Sequence, residues 1–107
     1  MQLQNEQLIE LVSKKFKLLA EPTRLKILIS LQEGEKSVSQ IIELTELQQA
    51  NVSKNLKMLF EADFVTRRKE KNMVFYRIAN PAIFQMCEIV CSTTQASIET
   101  KRALFDF

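Results

Sequence analysis

A mainly α-helical fold with one small β-hairpin is predicted for this chain, and three observations predict it. Glycine occurs once and proline twice in 107 residues, while Leu, Ile, Lys, Glu and Gln are plentiful, a bias that suits helices and disfavours sandwiches and barrels. Apolar residues recur every three to four positions over most of the chain, the period of helices with one buried face. Residues 64 to 78 break that period, setting β-formers on either side of a charged tip. With 46% apolar residues, the chain is expected to form a single domain, 1–107. A domain of this size buries little more than ~60% of its unfolded surface, so a spare apolar face favours a partner.

The first helix is read over residues 6 to 19, where Leu8, Leu11, Val12, Lys15, Leu18 and Leu19, with Phe16 between, follow the helical spacing. "AEPTRLKILISLQEG" supplies the second. Pro22 suits its first turn, Leu25, Ile27, Leu28 and Leu31 its buried face, and Gly34 the left-handed residue that ends it. Ser37 opens S-V-S-Q, a capping-box spacing with Gln40, so a short third helix with Ile41, Ile42 and Leu44 runs to about Thr45. The fourth helix begins at "QQANVSKNLKML". Its Ala50, Val52, Leu56, Leu59 and Phe60 point one way and leave Gln49, Asn51, Ser53, Lys54 and Lys57 elsewhere.

Phe64, Val65 and Thr66, then Met73, Val74, Phe75 and Tyr76, form the two strands of the hairpin. Asn72 is expected at the left-handed position of its turn, in a loop longer than two residues. Asn80-Pro81 then reads as an N-cap with proline at the first helical position, opening a fifth helix over about 81–102. The tail "TKRALFDF" has no clear period and is read either as a cap on a dimer or as disordered.

Composition and charge narrow the function. The net charge is only +2, but residues 48 to 78 hold seven basic against three acidic groups, a local excess of +4, while the flanking segments are each at −1. A polyanion is attracted to such a segment. A single glycine provides no Gly-rich phosphate loop, and the absence of histidine removes Cys/His chemistry, so neither catalysis nor a cofactor is expected. Residues 1 to 19 lack a continuous apolar run and no later stretch approaches a membrane span, which predicts a cytoplasmic protein without a membrane partner. Two cysteines make no disulfide framework.

Two helices joined by about three residues, within 37–62, form a helix-turn-helix, whose second helix fits a major groove about 12 Å wide. Glutamine and asparagine carboxamides match the N6 and N7 edge of adenine, serine pairs with several bases, and lysine reaches guanine or phosphate. The hairpin, 64–78, carries Arg67, Arg68, Lys69 and Lys71 beside that helix, where they can clasp the phosphate backbone or enter the minor groove. A basic hairpin directly after a helix-turn-helix makes a winged helix-turn-helix.

"LLAEPTRLKILISLQEGE", "SVSQIIEL" and "QQANVSKNLKMLFEADFVTRRKEKNMVFYRI" resemble the ArsR/SmtB family of bacterial winged-helix repressors over roughly residues 8 to 95. The resemblance implies four helices, two strands and a final helix, a homodimer paired through the first and last helices, and a palindromic operator released when an effector binds. It puts Gln48, Gln49, Asn51, Ser53 and Lys54 on the recognition helix, Asn55 where the family often has histidine, and the wing over Arg67 to Asn72.

The family's third-helix metal site needs two cysteines, but the matching positions here are Ser37 and Ser39. Its last-helix site needs histidines, and none exists. Serine hydroxyls do not replace thiolate or imidazole, so no metal is expected.

Cys87 and Cys91 remain, four residues apart on one face of the fifth helix. Their Cβ atoms, about 5 to 6 Å apart, are too distant for an easy disulfide. Either they pack as small hydrophobes among Ile83, Phe84, Met86, Ile89 and Val90, or they are effector thiols for arsenite, reactive sulfur or an oxidant. The apolar surplus on the fifth helix (Ile83, Phe84, Met86, Cys87, Val90, Cys91 and Ile98) and on the first helix suggests dimerisation through both. A two-fold dimer would then present two recognition helices about 34 Å apart.

The sequence therefore predicts a homodimeric operator-binding regulator, a repressor of double-stranded DNA targets. Gln49, Asn51, Ser53 and Lys54 are its base readers, and Lys57, Arg67, Arg68, Lys69 and Lys71 its phosphate contacts. An effector-independent regulator and a winged-helix protein-interaction module are the other readings.

Overall fold

The computed structural model describes residues 4–105. In chain order the elements are α1 (Glu6–Leu19), α2 (Pro22–Ser30), β1 (Lys36–Ser37), α3 (Val38–Thr45), α4 (Gln49–Glu61), β2 (Val65–Glu70), β3 (Met73–Ile78) and α5 (Pro81–Phe105). Local chemistry sets most of the boundaries. The Asn5 carboxamide oxygen accepts the Leu8 N–H at 3.0 Å to start α1. The Glu21 carboxylate does the same for Arg24 at 3.2 Å ahead of Pro22. The expected capping box is complete: Ser37 Oγ accepts the Gln40 N–H at 3.2 Å, and the Ser37 N–H donates to Gln40 Oε1 at 2.8 Å. The Asn80 oxygen accepts the Ala82 N–H at 2.9 Å where α5 begins.

Four local expectations are corrected. Helix α2 ends at Ser30, four residues before Gly34, and Gly34, at φ +138°, lies in the following turn. A two-residue strand, β1, pairs Lys36 with Tyr76 and Ser37 with Phe75, so the hairpin is part of a three-stranded antiparallel sheet in the order β1-β3-β2. Two residues are too few for alternation to show in a sequence. The hairpin turn has only two residues, with Glu70 facing Met73 across it, and Lys71 rather than Asn72 takes the positive φ, at +55°. The fifth helix, expected to end near 102, continues through Phe105, so the tail is helical rather than disordered up to that residue, while Asp106 and Phe107 lie outside the described residues, as do Met1 to Leu3.

The core lies where α2, α3 and α4 meet the base of the sheet. Ile27, Leu28, Leu31, Ile41, Val52, Leu56, Leu59, Phe64, Val65 and Tyr76 are buried there. Helix α4 leaves this core through a Schellman ending. The Phe64 N–H donates to the Leu59 oxygen at 2.9 Å and the Asp63 N–H to the Phe60 oxygen at 3.1 Å, while Asp63 sits at φ +65°. That sharp exit turns the chain directly into β2 and brings the hairpin alongside α4. Two helices stay largely outside the core. Leu11 (52% exposed) and Phe16 (54%) on α1, and Ile89 (64%) and Phe105 (77%) on α5, face solvent in the single chain. Among the described residues no helix is long and apolar enough to cross a membrane.

Candidate nucleic-acid interface

Helix α4 divides its side chains cleanly. Val52, Leu56 and Leu59 are buried against the core, while Gln48, Gln49, Asn51, Ser53, Lys54 and Lys57 are exposed on the opposite side. Gln48, the N-cap residue, makes no side-chain capping bond. The first-turn N–H groups of α4 therefore lack that partner, which suits an incoming anion.

Asn55 corrects the sequence reading. It is only 5% exposed and turned toward α2. Its Oδ1 accepts from Arg24 Nη1 at 3.1 Å, and its Nδ2 donates at 2.8 Å to both the backbone oxygen and Oδ1 of Asn51. It is a structural amide with no edge left for a base. Arg24 went unnoticed in the sequence. Its Nε donates to the Leu18 carbonyl at the end of α1, and Nη1 also reaches Met58 Sδ at 3.8 Å. Nothing in its spacing distinguishes it from a solvated helix arginine.

The wing residues divide similarly. Lys69, Lys71 and Asn72 are exposed at the hairpin tip. Arg67 lies over the Phe60 ring at 4.0 Å, a cation–π contact that ties β2 to the last turn of α4. Lys69 is two residues further along the same strand and so shares that face.

Arg68 corrects the reading again. Its Nε and Nη2 form a fork on Glu35 at 2.8 and 2.7 Å, its Nη1 meets Glu70 at 3.0 Å, and its guanidinium lies over Phe75 at 4.7 Å. Two carboxylates offset its charge and take three of its five N–H donors, so it fastens the wing to the loop before β1 rather than standing as a free cation. The Arg68 guanidinium holds the Glu35 carboxyl below the usual carboxylate range. Across the sheet Arg77 Nε donates to Thr66 Oγ1 at 3.2 Å, which leaves the exposed Arg77 as a further cation beside the wing.

On α5, Cys87 is half-buried and burial pushes its thiol pKa up, while Cys91 is exposed. Among the described residues no group of three or more His, Cys, Asp or Glu side chains comes together to hold a metal.

The family model described as bacterial regulatory protein, arsR family, matches residues 21–67, the segment from the N-cap of α2 to the start of the wing. An uncharacterized HTH-type transcriptional regulator of Mycobacterium tuberculosis is 33% identical over 88 residues, spanning 81% of this chain and 77% of the relative. The biofilm growth-associated repressor of Agrobacterium fabrum is 35% identical over 72 residues, 67% of this chain and 62% of that protein. The solution structure of a homodimeric winged helix-turn-helix DNA-binding domain from Mycobacterium bovis superposes with a TM-score of 0.81 at 28% identity, covering 94% of this chain and 93% of that one.

Proposed function

This chain belongs to the arsR family of bacterial regulatory proteins, DNA-binding transcription regulators rather than enzymes, and from that premise we propose that it is a cytoplasmic homodimeric repressor of a palindromic operator. The observation that carries the reading is the exposed, hydrogen-bonding start of α4 (Gln48, Gln49, Asn51, Ser53 and Lys54) standing beside a ribbon tipped by Lys69 and Lys71. A helix of that chemistry enters a major groove with its first turns against the base edges, while lysines on a flanking ribbon meet the phosphates. Gln49 keeps a free carboxamide for adenine, Ser53 and Lys54 lie one turn further on, and Lys57 follows the backbone.

Dimerisation follows from what the fold leaves uncovered. Leu8, Leu11 and Phe16 on α1 and Ile89, Val90 and Ile98 on α5 form more exposed apolar surface than a lone small domain carries without a use. Pairing these helices about a two-fold axis sets the two α4 copies one duplex turn apart. The similar M. bovis domain, described as homodimeric, supports the same assembly. Bound over a promoter, such a dimer excludes the polymerase, and repression is the result. The local +4 charge of residues 48 to 78 makes the affinity steeply salt-dependent, which a protein-interaction module would not require.

Selection of bound sequences from random duplex DNA, paired with measurement of the solution mass, tests the proposal. The expected result is a dimer and a palindrome with half-sites about 10 base pairs apart. A monomer that enriches no sequence at low ionic strength overturns it.

A further inference from the structure

Arginine carries donors and no acceptor, so its bond to Asn55 can be made only to the carboxamide oxygen. That single fact orients everything beyond it. With Oδ1 of Asn55 facing Arg24 Nη1 at 3.1 Å, the Asn55 NH2 must face the other way, toward the preceding turn of α4. There it donates at 2.8 Å to a side-chain atom of Asn51, which must be an acceptor and is therefore Oδ1. The second Asn55 hydrogen is taken up by the Asn51 backbone oxygen, also at 2.8 Å. Asn51 is exposed and Asn55 is 5% exposed. The Asn51 oxygen is thus held against the helix body while its NH2 is left facing outward: turning Asn55 round would set its NH2 against the arginine, and turning Asn51 round would set two amide nitrogens against each other.

Resting on the reading of α4 as the groove-entering helix, we infer that Arg24 and Asn55 are positioning residues that set the base preference of Asn51, presenting it to DNA as a donor only. The usual bidentate contact of asparagine with adenine needs the amide oxygen and nitrogen side by side on the base edge, one accepting from N6 and the other donating to N7. Here the oxygen is turned to a buried neighbour. An outward NH2 matches instead an edge that offers two adjacent acceptors, and in the major groove guanine, with N7 and O6, is the base that does so. The preorganisation is anchored on two helices, because the same guanidinium holds the last turn of α1 through the Leu18 carbonyl. The base pair under Asn51 is therefore read as guanine, in contrast to the adenine that Gln49, whose carboxamide is not so tied, remains free to read.

The test has one arm without DNA and one with it. In the free protein, the Asn55 side-chain amide protons should be protected from exchange with water by NMR and those of Asn51 should exchange freely. The reverse pattern overturns the inference whatever the protein binds. In the second arm, binding sites are selected from random duplexes with the parent, Asn51→Ala and Asn55→Asp. Asn55→Asp keeps a partner for Arg24 but has no hydrogen to donate. The parent should favour guanine at the one base pair whose preference Asn51→Ala abolishes. Asn55→Asp should flatten that same preference by about ten-fold while leaving the base preferences at the other positions unchanged, its added negative charge weakening all sequences alike. Adenine at that pair, or an Asn55→Asp profile identical to the parent's, overturns the inference while leaving operator binding intact. Failure of the parent to select any sequence removes the DNA reading and the base preference with it, but not the amide orientation found in the first arm.

Discussion

Lys15 on α1 donates from Nζ to the carbonyl oxygen of Ala62, the C-cap residue of α4, at 2.7 Å, with the same ammonium 5.3 Å from the centre of the Phe64 ring. One side chain thus closes the end of the candidate recognition helix from a helix 47 residues earlier in the chain. A cation at a helix C-terminus also complements the helix dipole. Replacement by methionine keeps the aliphatic stem and removes the charge and the hydrogen bond. Lys15→Met is expected to lower stability by about 1 kcal/mol, a change that urea denaturation followed by circular dichroism resolves. Unaltered stability would make the contact incidental.

The wing lock gives a pH dependence of known sign. Arg68 hydrogen-bonded to Glu35 depresses that carboxyl's pKa in the folded chain, so the unfolded chain takes up the proton first. The stabilisation is complete above the ordinary glutamate pKa of about 4.3 and is lost as pH falls through the lower folded value. Amide exchange in β2 and β3 should be faster in Glu35→Gln than in the parent at pH 6, and the two proteins should converge only in acid, once the pH has fallen through the depressed folded value. A difference that persists in acid would mean the fork on Glu35 does not hold the strands.

Glu46, which ends α3 inside the helix-turn-helix, sits in the left-handed region at φ +59°, a conformation that costs residues with a Cβ about 1 kcal/mol. Glycine has no such cost there, though it gains freedom in the unfolded chain. Glu46→Gly should therefore raise stability by about 0.5 kcal/mol, seen as a higher thermal midpoint. A lower midpoint would show that the glutamate side chain makes a contribution outweighing its backbone strain.

For the wing, Lys69→Ala and Lys71→Ala should each weaken binding to operator and random DNA alike, and flatten the plot of log K against log salt by about 0.9. Arg68→Ala should change that slope little, because its charge is already offset by Glu35 and Glu70. A full unit lost on Arg68→Ala alone would reverse the assignment of lock and phosphate ligand.

The cysteines are tested by titrating the operator complex with arsenite, an inorganic persulfide and hydrogen peroxide. Burial raises the Cys87 pKa and so lowers its reactive thiolate fraction. The double variant Cys87→Ser, Cys91→Ser is accordingly expected to release DNA as the parent does. Release confined to the parent would make the pair effector thiols.

Much of this architecture was legible in the order of residues. The spacing of Val52, Leu56 and Leu59, the Ser37–Gln40 capping box and the Asn80-Pro81 helix start all act within one or two turns of chain, so their signal survives in one dimension. The exposed polar face of α4 and the basic hairpin followed from the same local rules. Long-range pairing was not legible. That Asn55 turns inward is decided by Arg24, 31 residues away, and that Arg68 is a fastener is decided by Glu35, 33 residues away. In sequence each is one more polar residue on a periodic face. Which of them meets a partner and which is left for a ligand depends on how α2, β1 and the hairpin pack against α4. That packing follows from burying the shared core, and the core's apolar pattern carries no record of which polar atoms it brings together.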